Sequence, residues 1–265
     1  MLDISLLFYP LIGAVAGYLA GLMGVGGGLI IVPSLWFLWG LWGWDSPWLM
    51  QLALGTSLTT IIFTSISSIV AHHRRRGVRW PIVGVMAPGL VIGVWLGDYL
   101  AILVSQAFLA QFFCLFCVVV AIKMLIGWKL ATGDAKPSRS LLGGTSCIIG
   151  VVSALVGIGG GTMTVPTLRL CGIDMKQAVG TSAACGFPIA LGGAIGAIYT
   201  GLQLDELPAS TLGLIHLPAA FGIISASVFF APMGARMAHR LSAVALQRIF
   251  AIVLLLVAVK MWFNT

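Results

Sequence analysis

Gly24-Val-Gly-Gly-Gly-Leu-Ile-Ile-Val-Pro33 and Gly157-Ile-Gly-Gly-Gly-Thr-Met-Thr-Val-Pro166 are near-copies of one phrase, and each interrupts a long apolar stretch. Peptide groups inside hydrocarbon must be satisfied by the protein itself. Irregular backbone survives there only where protein or a water-lined cavity surrounds it. A chain that breaks two such stretches at matching places is expected to build a binding site for a solute that crosses the membrane.

Composition places the chain in a bilayer. Hydrophobic residues make up 60% of it, charged residues 8%, and the mean hydropathy is +1.10. The 34 glycines suit close packing between membrane helices. The N-terminus carries Asp3 and no Lys or Arg before Arg74, so it lacks the basic region of a cleaved signal. Residues 1–265 read as a single transmembrane domain, with repeat 1 over 1–131, repeat 2 over 140–265 and a cytoplasmic linker at 132–139.

Apolar segments of spanning length, about 20 residues, run over 49–71, 80–104, 106–128, 177–200, 209–231 and 241–263. The regions 6–43 and 140–171 are split by the glycine phrases into arms of about 17 and 15, and about 18 and 10, residues, mostly too short to cross alone. The halves correspond: Gly26-Gly27-Gly28 matches Gly159-Gly160-Gly161, and Gly55-Thr56-Ser57 matches Gly180-Thr181-Ser182. The same 27 residues separate Gly97 from Met124 and Gly234 from Met261. Four landmarks in one order mark a duplication.

Basic residues choose the topology. If each split region is one broken crossing, the basic residues divide 8 to 4 between the faces. If each is a re-entrant hairpin, Arg74, Arg75, Arg76, Arg79, Lys129, Lys136, Arg139, Arg169, Lys176, Arg236 and Arg240 share one face. Only Lys260 then lies opposite, with Asp3, Asp45, Asp98, Asp205 and Glu206. The positive-inside rule favours this 11 to 1 arrangement. The expected fold is an all-α polytopic membrane protein of two inverted repeats. Each repeat is a broken or re-entrant helical hairpin plus three transmembrane helices, with both termini outside. Trp36, Trp39, Trp42, Trp44 and Trp48 then form an outer aromatic belt.

The segments from Leu29 and Thr162 are expected to start helices at mid-membrane, with Pro33 and Pro166 in their first turns. Free N–H groups and the macrodipole make such helix starts anion sites. The candidate substrate-binding residues are Gly26, Gly27, Gly28, Thr56, Ser57, Gly159, Gly160, Gly161, Thr162, Thr181 and Ser182. The competing bland readings are glycine for helix packing and hydroxyls bonded back to their own helix. Asp98 is expected at a solvated interface and His216 to be a hydrogen-bonded structural histidine. Lys123 and Arg248 can snorkel from inner helix ends. The run His72-His73-Arg74-Arg75-Arg76 reads as an orientation anchor meeting lipid heads, with no nucleic acid implied.

Catalysis finds no support in the residues. The seven acidic residues lie mostly at loops, and neither glycine phrase ends in the Lys-Ser/Thr of a P-loop. The five cysteines, including the Cys114-x-x-Cys117 pair, read as small buried hydrophobes. No cofactor, metal or enzymatic activity is expected.

Gly21-Leu-Met-Gly-Val-Gly-Gly-Gly-Leu-Ile-Ile-Val-Pro33, its repeat Ala154-Leu-Val-Gly-Ile-Gly-Gly-Gly-Thr-Met-Thr-Val-Pro166, and Ala178-Val-Gly-Thr-Ser182 resemble the sulfite exporter TauE/SafE family, also called the toluene-sulfonate uptake permeases. The resemblance covers essentially the whole chain. It implies a multi-pass carrier in the bacterial inner membrane for a small sulfur-containing anion, sulfite or an organosulfonate. Family membership fixes neither the substrate nor the direction of transport. Leu29 and Ile31 become Thr162 and Thr164 in the second phrase, so a site between the tips would be asymmetric. The alternatives are a passive small-anion channel and a non-transporting scaffold. The small size is compatible with a homodimer.

Overall fold

The computed structural model describes residues 5–23, 26–126, 139–205, 207–237 and 243–263. Asp3, Gly24, Lys129, Lys136, Glu206, Arg240 and nearly all of the 132–139 linker lie outside the described residues. The chain is an all-α polytopic membrane protein. The helices are α1 (Ser5–Met23), α2 (Gly28–Leu41), α3 (Leu49–Arg74), α4 (Trp80–Leu103), α5 (Gln106–Ile126), α6 (Arg139–Val156), α7 (Gly161–Leu170), α8 (Met175–Gly201), α9 (Leu217–Met237) and α10 (Ala243–Phe263). Among the described residues, five of them, α3, α4, α5, α8 and α9, hold stretches long and apolar enough to span a bilayer. The split regions fold as arms of 19 and 14 residues, then 18 and 10.

Arm α1 runs antiparallel to α2. Tyr9, early in α1, accepts a hydrogen bond from Trp39 Nε1 (3.1 Å) and meets the Trp42 ring edge-on, while Gly27, before α2, packs on Ala16. The chain therefore turns back at the first glycine phrase. At the opposite end of the molecule the α3–α4 loop meets the start of α8: a Cβ on Gly77 would lie 3.5 Å from the Lys176 carbonyl. The segments bearing Arg74 to Arg79 and Lys176 thus share one end. Lys260 sits 4.7 Å over the Phe37 ring, at the end where α2 finishes.

Packing pairs an element of one half with an element of the other. Helix α1 lies along α9 with Gly13 on Ile223 and Gly17 on Ser227, and α4 lies along α6 with Gly93 on Cys147 and Gly97 on Val151. Both pairs are parallel. Successive glycines four residues apart let the backbones touch, which replaces the missing hydrophobic drive between helices in lipid. Helices α3 and α8 form the central antiparallel pair, with Gly55 on Ala197 and Gly193 on Leu58, and α5 packs on α10.

Three expectations are corrected. The segment 209–231 is not one helix: Thr211–Leu212 and Ile215–His216 form a two-stranded antiparallel hairpin, and the helix starts at Leu217. Ser210 (φ 64°) and Gly213 (φ 56°) hold the turns that hydropathy could not register. Pro33 and Pro166 stand at the sixth positions of α2 and α7, not in their first turns, because both helices start at the last glycine of the phrase. Trp39 is fully buried and stacks on Trp44 at 5.4 Å, so it belongs to the core between α1, α2 and the hairpin, not to a belt.

The glycine contacts give the first test. A Cβ on Gly93 would collide with the Cys147 backbone, whereas one on Gly84 of the same helix meets nothing. Gly93→Leu should lower the thermal unfolding midpoint in detergent by the equivalent of about 1–3 kcal/mol, the usual penalty for overpacking. Gly84→Ala should leave the midpoint unchanged or raise it.

Candidate functional site

The two glycine phrases meet. A Cβ on Gly28 would collide with the Gly157 carbonyl, and one on Gly26 would lie 3.7 Å from Gly159 N. Left-handed backbone at Gly26 (φ 70°), Gly157 (φ 68°) and Gly160 (φ 73°) makes the turns, a conformation that costs a residue with a side chain and not glycine. Gly159 continues the contact onto Ile61 and Gly186, so the second tip reaches both α3 and α8.

At the start of α7 the amides of Met163 and Thr164 both bond to the Gly160 carbonyl (3.1 and 2.8 Å). The N–H groups of Gly161 and Thr162 precede them and have no intrahelical acceptor. Helix α2 begins the same way, with Ile30 and Ile31 on the Gly27 carbonyl (both 3.0 Å). The side chains around the two starts differ. Ser153, Thr162, Thr164 and Ser182 each keep a buried hydroxyl with no hydrogen-bond partner. Ser153 Oγ and Thr164 Oγ1 both lie 3.4 Å from the point where a Cβ on Gly160 would stand. Ser182 is one turn from Gly186, the residue that touches Gly159. Counted by the offset between the phrases, Ser153, Thr162 and Thr164 replace Ala20, Leu29 and Ile31. The first tip is accordingly apolar: Leu19, Ala20, Gly26, Gly27, Leu29, Ile30 and Phe250 line a small cavity with room for about one water.

The Gly-Thr-Ser triplets join the halves. Thr56 Oγ1 accepts from the His216 N–H at the foot of α9, and Thr181 Oγ1 accepts from the Arg79 N–H at the foot of α4, both at 3.0 Å. The preceding glycines fit the same scheme, since a Cβ on Gly55 would strike the Leu214 carbonyl and one on Gly180 the Gly77 carbonyl. Leu214 and His216 follow Gly77 and Arg79 at the spacing that relates Gly97 to Gly234. Ser57 Oγ then donates to the Gly157 carbonyl (2.8 Å), pinning the second tip. Neither Thr56 nor Ser57 bonds back to its own helix, whereas Thr59 and Thr60 on the next turn do.

The structure thus brings Gly26, Gly28, Ser57 and Gly159 to one place, with Gly160, Gly161 and Thr162 following directly. Thr56 and Thr181 are not brought together. The antiparallel register of α3 and α8 sets Thr56 near residue 195, so roughly 20 Å of helix separates it from Thr181. Ser153 escaped the sequence reading, although the offset that pairs it with Ala20 carries the signal, and Thr164 stood out there as a hydroxyl of the second phrase without being placed among the site residues. His216 is a structural histidine: its Nδ1 accepts from the Ala219 N–H (3.2 Å), and its ring sits among Tyr9, Trp39 and Trp44. Cys114, Cys117, Cys171 and Cys185 are free and buried, and Cys147 is half-buried.

The sequence model for the family described as Sulfite exporter TauE/SafE matches residues 9–261. The chain belongs to that family. This TauE/SafE member is 37% identical over 255 residues to a probable membrane transporter protein of Haemophilus influenzae, covering 95% of the chain and 96% of the relative. A probable membrane transporter protein of Methanocaldococcus jannaschii is 27% identical over 252 residues, 89% of each chain. Another from Bacillus subtilis is 27% identical over 218 residues, covering 74% of the chain and 80% of the relative. The chain is a multi-pass membrane transporter.

His216 gives a pH test of the junction between the halves. It lies in the hairpin, outside the spanning helices, and burial pushes its imidazole down to about 4. A depressed histidine favours folding in its neutral form. That contribution is complete above the ordinary value near 6.5 and is lost as pH falls toward 4. The thermal midpoint should therefore fall between pH 7 and pH 4.5, and His216→Phe should flatten that slope. An unchanged slope would mean that the imidazole charges without cost.

Proposed function

We propose that the chain is a secondary transporter of the bacterial inner membrane that carries a small sulfur-containing anion, sulfite or an organosulfonate, by alternating access. The observation that carries the reading is the cluster of unpartnered donors at the second tip. The N–H groups of Gly161 and Thr162 start α7, the unpartnered hydroxyls of Ser153, Thr162 and Thr164 lie at that start, and that of Ser182 stands one turn from Gly186, which touches the same tip. Buried polar groups are nearly always satisfied in native proteins, so several together indicate a missing acceptor. A tetrahedral oxyanion presents three acceptor oxygens and a negative charge, which suits a helix N-terminus. Neutral donors also suit a carrier, because a buried Arg–sulfonate pair would be about twice as strong per bond and slow to release.

The two halves act as inverted repeats in this reading. Support comes from the antiparallel run of the equivalent helices α3 and α8, the matched threonine clamps, and the basic segments gathered at one end. A two-fold axis in the membrane plane makes equivalent helices antiparallel, whereas an axis along the normal would make them parallel. The basic end is cytoplasmic by the positive-inside rule. In the present conformation the tips touch, so a sulfonate enters only when one half rocks against the other. That contact also favours a carrier over a standing channel. Binding and translocation need no catalytic group, so the chain is read as a transporter and not an enzyme.

Replacing the orphan hydroxyls separates stability from binding. Thr162→Val, Thr164→Val and Ser182→Ala remove buried groups that have no partner, so each should leave the thermal midpoint unchanged or raise it. Each should also weaken the ligand-induced thermal shift across a panel of sulfite, sulfoacetate, taurine and sulfate. A loss of about 1 kcal/mol per hydrogen bond corresponds to roughly fivefold in affinity. Variants that bind the panel as wild type does would place the anion elsewhere.

A further inference from the structure

Among the described residues, three more buried polar atoms away from the tips have no partner: Gln51 Oε1, Asp98 Oδ2 and Gln106 Oε1. Asp98 of α4 is only 7% exposed, and its Oδ2 accepts no hydrogen bond. This contradicts the expected solvated interface: Gly196 of α8 offers a bare backbone face, and a Cβ there would collide with Oδ2. The carboxylate opens on a small cavity with room for about one water, shared with Gln51, Gly55, Thr200 and Leu214. Gln51 Nε2 donates to the Ala101 carbonyl (3.2 Å), which orients the amide and leaves Oε1 buried and unpartnered. Thr200 spends its hydroxyl hydrogen on the Gly196 carbonyl (2.8 Å). The cavity is thus lined by side-chain acceptors, with no donor aimed at either orphan oxygen.

Among the described residues, no positive charge compensates Asp98. None of the other residues lining the cavity is titratable. His216, in the nearby hairpin, turns its ring to Tyr9, Trp39 and Trp44. His72, His73 and Arg74 of α3, Arg139 of α6 and Lys176 of α8 lie at the far ends of those helices, more than about 20 Å along the axes. A proton on Oδ2 converts one acceptor into a donor and satisfies Gln51 Oε1, directly or through one water.

We propose that Asp98 is the proton-binding residue of the transport cycle, protonated while its cavity is closed and exchanging its proton with water when the halves move apart. The cavity lies against the Gly55–Leu214 contact, next to the Thr56–His216 clamp, so any motion of one half against the other opens it. Its counterpart in the second half is Ala235, by the spacing that relates Gly97 to Gly234, so the device is single. The coupling rests on the transporter reading, whereas the protonation itself does not.

Two measurements on the full-length protein separate them. Infrared spectra of wild type at neutral pH should show the carbonyl stretch of a protonated carboxylic acid, and Asp98→Asn should remove it. In proteoliposomes, a gradient of one pH unit should sustain up to about tenfold accumulation of ethanesulfonate or sulfite per coupled proton. Asp98→Asn should abolish that accumulation yet keep counterflow exchange within about twofold of wild type. Absence of the acid band, or gradient-driven accumulation by Asp98→Asn equal to wild type, overturns the proposal. If wild type moves no anion at all, the transporter reading fails and the coupling role fails with it, while the infrared band alone decides whether Asp98 holds a proton.

Discussion

A peptide group deep in a bilayer must find its partner inside the protein, and the architecture follows from that constraint. Breaking two helices midway leaves free amides and carbonyls where no water can reach them. The chain answers by turning both breaks toward each other. Ser57 takes up the Gly157 carbonyl, and Gly28 lies flat against the same group because it has no side chain. Free amides begin both α2 and α7, and among the described residues the unpartnered hydroxyls lie on the side of the second tip, where we propose that the solute binds.

On the proposed inverted-repeat plan, duplication makes the breaks face one another, and divergence leaves only one of them polar. The threonine clamps show the shared plan: Thr56 and Thr181 each hold the amide of the residue just before a helix of the opposite half. Over that plan the second hairpin carries Ser153, Thr162 and Thr164 in place of Ala20, Leu29 and Ile31. The first half in turn carries Asp98 where the second has Ala235. In the proposed cycle charge handling is thereby split, with the proposed anion donors in one half and a lone carboxylate in the other.

Much of the fold was legible in the sequence. Repeated spacing exposed the two halves, and hydropathy placed most helix ends within a few residues, because a membrane span is a long and unambiguous signal. The misplaced elements were those whose character depends on neighbours. Nothing local distinguishes the 211–216 hairpin from the start of a helix. Asp98 looks interfacial until the bare face at Gly196 is known to cover it. Gly55-Thr56 and Gly180-Thr181 stood out as a repeated motif, but the partners of the first lie 159 and 160 residues ahead and those of the second 103 and 102 behind. A motif shows that a residue type is needed; the contact shows for what.

The most direct test is to locate the anion. A heavy-atom analogue such as bromoethanesulfonate, bound to the protein in lipid and found by anomalous scattering, reports its position without relying on flux. Its sulfonate should lie within hydrogen-bonding reach of the Gly161 and Thr162 amides, between two tips that have moved apart. Density confined to the loops at the basic end, or tips still in contact with ligand bound elsewhere, would contradict the account.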